Sequence, residues 1–79
     1  MESKKQKAIK YFEKGADTAG YKIVRNFKLE FTSEEQRIFQ IVYESNSDKR
    51  KEQFYKSLNI DVDKMRIDAR EIIKKKYNI

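Results

Sequence analysis

Between Lys49 and Tyr77 the apolar residues recur at the three- and four-residue spacing of helices, and one break at Asn59 divides the run in two. Phe54, Tyr55 and Leu58 would line one face of a first helix and leave Lys51, Glu52 and Lys56 in solvent. Asn59 tolerates the left-handed backbone that ends many helices, Ile60 can fold back as an apolar plug, and Asp61 is a good N-cap for a second helix beginning at Val62. In that second helix Val62, Met65, Ala69, Ile72 and Ile73 fall within about one third of a helical wheel, the width of a core-facing stripe. The spacing predicts two helices that cross with Leu58 and Met65 both buried.

Ahead of this pair, Thr32-Ser33-Glu34-Glu35 is a Ser/Thr-x-x-Glu capping box in front of an apolar-periodic run. The helix it opens carries Ile38, Phe39, Ile41, Val42 and Tyr43, and Ser45 to Asp48 ends it, with Ser47 or Asp48 as the cap of the helix at Lys49. Residues 32–79 therefore read as a trihelical unit, the size and order of a minimal DNA-binding domain.

Nearer the start, residues 3–14 place Ala8, Ile9 and Phe12 on one helical face, and Gly15 stops that helix. Ala16 to Gly20 reads as a small polar linker. Tyr21 to Phe31 is rich in β-formers and alternates from Phe27 through Leu29 to Phe31. It predicts either a short β-hairpin turning at Arg25-Asn26 or a single extended or helical arm. The expected fold class is mainly α: a small helical bundle with a C-terminal helix-turn-helix-like pair. It is one domain, with an N-terminal helix and linker in 1–20, an extended or hairpin segment in 21–31 and the trihelical unit in 32–79.

Composition narrows the chemistry. The 79 residues contain no Cys and no His, so disulfides, zinc fingers, thiol nucleophiles and imidazole catalysis are excluded. Glu34 with Glu35 and Asp61 with Asp63 are the closest carboxylate pairs, and each has a capping or helix-dipole explanation, so neither catalysis nor a cofactor is expected. No apolar run approaches the roughly 20 residues that span a bilayer, and the N-terminus lacks the apolar segment of a secretory signal. A cytoplasmic, membrane-free location is the expectation. The formal net charge of +6, with 41% of residues charged, favours an acidic partner such as nucleic acid. Basic segments 1–29 and 47–79 flank an acidic segment 30–46.

On the final helix Arg66, Arg70 and Lys74 follow one another at i, i+4 and i+8 beside the apolar stripe, with Ile67 on the same side. Such a row suits a groove-facing helix, because Arg reads guanine edges in bidentate fashion and Lys neutralises phosphate. All three basic side chains are expected to be mostly exposed. The run SLNIDVDKMRIDAREIIKKK resembles the end of sigma-factor region 4 and related phage regulators, where a basic helix runs on well past the turn. It departs from them with Asn59 in place of the usual turn glycine and bulky Tyr55 where a small residue is common. The resemblance implies a helix-turn-helix, duplex DNA as partner and regulation of transcription. Candidate contact residues are Lys64, Arg66, Ile67, Arg70 and Lys74, with Lys49, Arg50 and Lys51 on the flanking backbone. The alternative expectation is a protein-interaction module that docks on RNA polymerase, a sigma factor or another host protein, with Ile67, Tyr77 and the aromatics of 21–31 as its contact surface. No heptad marks a dimerisation segment.

Overall fold

The computed structural model describes residues 3–79 and contains five helices and no strand among them: α1 (Lys4–Glu13), α2 (Asp17–Val24), α3 (Ser33–Ser47), α4 (Lys49–Ser57) and α5 (Val62–Tyr77). Most helix boundaries follow from local hydrogen bonding. Thr32 Oγ1 accepts from the Glu35 N–H at 3.1 Å while the Glu35 carboxylate accepts from the Thr32 N–H, so the expected capping box is formed. Asp48 accepts from the Arg50 N–H at 2.9 Å, and Asp61 from the Lys64 N–H at 3.0 Å. Asn59 takes the left-handed conformation, with φ of 64°, as the break in the pattern requires. A further capping box joins Ser3 and Gln6 at the start of α1.

Where a linker and then a hairpin or a single extended or helical arm were expected, the chain forms α2 over Asp17–Val24, so the linker and hairpin are absent and the helical alternative holds as far as Val24. The buried residues of α2 are Gly20, Tyr21 and Val24, a helical spacing that the alternation farther along the chain obscures. Gly15, with φ of 82°, makes the reversal between α1 and α2, and the Ala16 N–H donates to the Tyr11 carbonyl at 2.8 Å. Gly20 lies directly under the ring of Phe12: a Cβ at this position would sit 2.5 Å from the nearest ring carbon. The absence of a side chain lets α2 pack flat against α1, and β-propensity yields to that tertiary contact. After α2, residues 25–31 form turns, closed by the Phe27 N–H on the Val24 carbonyl at 2.9 Å and the Phe31 N–H on the Phe27 carbonyl at 3.2 Å.

Gly20→Ala therefore sets helix propensity, worth about 1 kcal/mol in favour of Ala, against overpacking of a fully buried ring, which costs about 1–3 kcal/mol. A net loss of stability is expected in a denaturant titration; a gain would mean that the Phe12 ring can move aside.

The core is a chain of aromatic rings sheathed in small aliphatics. Phe12 meets Tyr21 edge-on at 5.1 Å between centroids, Tyr21 stacks on Phe39 at 5.7 Å, and Phe39 meets Phe31 edge-on at 4.9 Å. Phe31 in turn meets Tyr77 at 6.0 Å. Ala8, Val24, Val42, Ala69 and Ile73 close around them, so every helix except α4 contributes to this cluster. α3 is the central element, packing against α2, α4 and α5.

α4 differs from expectation. It has no buried residue, and Phe54 and Leu58 are each 55% exposed. The helix rests on α3, with the Tyr55 hydroxyl donating to the Glu44 carboxylate, and touches α5 only lightly. That bond is the main reason the Tyr55 phenol is pushed up to about 12 and the Glu44 carboxyl lies below its ordinary value. Leu58 is therefore not the core residue its spacing predicted. Met65, its expected partner, is half-buried against the main core instead.

Candidate nucleic-acid interface

The candidate residues on α5 separate into two groups once their neighbours are in place. Arg66 is half-buried and points back across the bundle. Its guanidinium donates to Asn46 Oδ1 on α3 at 2.8 Å, to Asp63 Oδ1 on its own helix at 2.7 Å, and to the Glu52 carboxylate on α4. Three helices thus meet on one side chain. The Arg66 hydrogen bond is the leading reason the Glu52 carboxyl lies below its ordinary value, and the same contact raises the Arg66 guanidinium. Arg70 is likewise half-buried: one guanidinium nitrogen reaches Asp17 Oδ1 at 2.8 Å and the Phe12 carbonyl at 3.4 Å, tying α5 to the α1–α2 hairpin. The expectation that both arginines would be mostly exposed does not hold, because carboxylates from α2 and α4 converge on the flank of α5.

The other candidates face outward. Lys64 and Lys74 are exposed, and Ile67 between them is 64% exposed. With Glu71 they form a row at i, i+3, i+7 and i+10 on the side of α5 away from the core. The row is mixed in charge, and exposed Asp63 lies beside its start. Lys49, Arg50 and Lys51 are exposed in the first turn of α4, next to the Asp48 cap. Phe54 on α4 and Leu58 at its C-cap, one helical turn apart, add exposed apolar surface to the same helix pair.

A third group of cations was not legible in the sequence. Lys4 and Lys7 of α1 converge with Lys22 of α2 on a groove between the two helices. The α2 side of that groove is Ala19, Lys22 and Ile23, a face that exists only when this stretch is helical, with Asn26 in the turn just past the helix.

Among the described residues no group of three or more Asp or Glu side chains could hold a metal ion, and no helix is long and apolar enough to cross a membrane. No protein-family model, curated protein or solved structure matches the chain.

Proposed function

We propose that the chain is a small DNA-binding protein, of the kind that serves as an accessory regulator of transcription, and that it meets duplex DNA with the outer row of α5 and the first turn of α4. The observation that carries this reading is the placement of cations on that pair of helices. Lys64 and Lys74 stand at the two ends of the outer row of α5, with exposed Ile67 and Glu71 between them, and Lys49, Arg50 and Lys51 stand exposed at the start of α4. In this reading the lysines neutralise phosphates and Ile67 contacts a thymine methyl. Arg66 and Arg70 act through the fold, holding α5 against α4 and the α1–α2 hairpin.

A second reading, docking on a protein partner such as RNA polymerase or a sigma factor, draws support from a different observation. Phe54, Leu58 and Ile67 are each more than half exposed, large apolar side chains that a protein partner could cover. A salt titration of binding to mixed-sequence duplex DNA separates the two. For the DNA reading, the logarithm of affinity falls linearly with the logarithm of salt, with a slope of several released counterions; absence of binding at about 50 mM salt favours the protein partner.

A further inference from the structure

The groove between α1 and α2 has the chemistry of a ligand site that the duplex reading does not use. Its volume of about 570 Å³ is that of a small-ligand site. Lys4, Lys7 and Lys22 stand exposed around its rim, and no carboxylate lines it among the described residues. The floor is apolar and aromatic: Tyr11 from α1 and Phe27 from the following turn, both half-buried, flank Ile23, while small Ala19 keeps the space between the helices open. Asn26 supplies a side-chain amide at the end of the groove.

We propose that this groove binds single-stranded nucleic acid, with phosphates on Lys4, Lys7 and Lys22 and an unpaired base against the rings of Tyr11 and Phe27. Three lysines without a carboxylate exclude a cation and select an anion. Half-exposed rings between those lysines select an anion that carries a flat aromatic group, which is the makeup of a nucleotide strand. The groove is too small to seat a duplex, whose bases are in any case stacked on one another. A second concavity of about 430 Å³ shares Asn26 and Phe27 with the first and adds Lys5, Lys28 and the fully exposed Leu29, although Glu30 also borders it and pairs with Lys5 at 3.5 Å. A strand can therefore continue past Phe27 toward Lys28. Phe27 is the shared wall of the two spaces and the natural place for a stacked base.

The test uses the full chain and fluorescence anisotropy with a labelled oligothymidylate of about ten nucleotides, within the span of known single-strand sites. An oligouridylate arm separates DNA from RNA as the source of the strand; binding of either supports the site when the groove variants weaken it. Lys7→Gln with Lys22→Gln is expected to weaken strand binding at least about tenfold, since two phosphates then have no countercharge and the electrostatic part of affinity dominates. Tyr11→Leu and Phe27→Leu, made separately because Phe27 also packs on the core, are each expected to weaken it at least about fivefold because the base has one ring fewer to stack on. Lys64→Gln with Lys74→Gln is expected to weaken duplex binding and to weaken strand binding less than the Lys7 and Lys22 change does, so failure of the duplex reading and failure of this one give different patterns. Absence of strand binding by the parent chain, or parent-like binding by the double lysine variant with a parent-like melt, would overturn the proposal.

Discussion

Phe39→Ala is expected to remove most of the stability of this domain. The side chain is fully buried, stacked on Tyr21 at 5.7 Å and edge-on to Phe31 at 4.9 Å, and through these two rings it links Phe12 at one end of the core to Tyr77 at the other. Replacing such a residue by Ala costs about 3–5 kcal/mol in transfer energy and cavity formation. A chain of this length has about 4–12 kcal/mol in total. A fall of at least about 12 °C in melting temperature follows from the usual relation between the two for small domains. Circular dichroism during a thermal melt reads it directly; a shift of only a few degrees would mean that the rings repack around the gap and that α3 is not the centre of the fold. Leu58→Ala provides the contrast. At 55% exposure on a helix with no buried residue, Leu58 is expected to cost under about 1 kcal/mol, where its spacing alone implied a core residue.

The contrast between Phe39 and Leu58 shows where the amino-acid sequence was informative and where it was not. Helix ends depend on groups within a few residues of one another, so Thr32 with Glu35, Asp48, Asn59 and Asp61 all act as their residue types imply. Burial depends on what a face meets. Phe54 and Leu58 repeat with the same period as Ala69 and Ile73, yet only the latter pair has a helix opposite it in the core. The same limit applied to α2, whose packing on α1 brings the ring of Phe12 over Gly20, a contact between residues on separate elements.

The candidate interface followed this division. A helical wheel placed Arg66, Arg70 and Lys74 in one row beside the apolar stripe, which is correct as geometry. It could not show that Glu52 and Asp17 would arrive at the first two positions from other helices. Nor could it show the groove of Lys4, Lys7 and Lys22, because two of those lysines lie on one helix and the third on a segment whose helical state was itself in question.

The second large effect concerns binding, and it turns on keeping the outward lysines separate from the inward arginines. Lys49, Lys51, Lys64 and Lys74 are all exposed, so changing the four to Gln should alter stability little, as surface substitutions usually stay within about 0.5 kcal/mol each. Arg66→Gln with Arg70→Gln should behave in the opposite way. That change removes the ties of α5 to α3, α4 and the α1–α2 hairpin, and is expected to lower the melting temperature whether or not DNA is bound. In the proposed complex each of the four lysines neutralises a phosphate, and every lysine replaced should flatten the salt dependence of binding by about one unit of slope.

The most direct test of the proposed function is therefore the duplex affinity of the four-lysine variant, measured by anisotropy at low salt alongside its thermal melt. The expected result is a melt within a few degrees of the parent, an affinity at least about tenfold lower and a shallower salt slope. Duplex binding as tight as the parent's, with the same slope, would contradict the proposed function and leave the outer face of α5 as solvated surface.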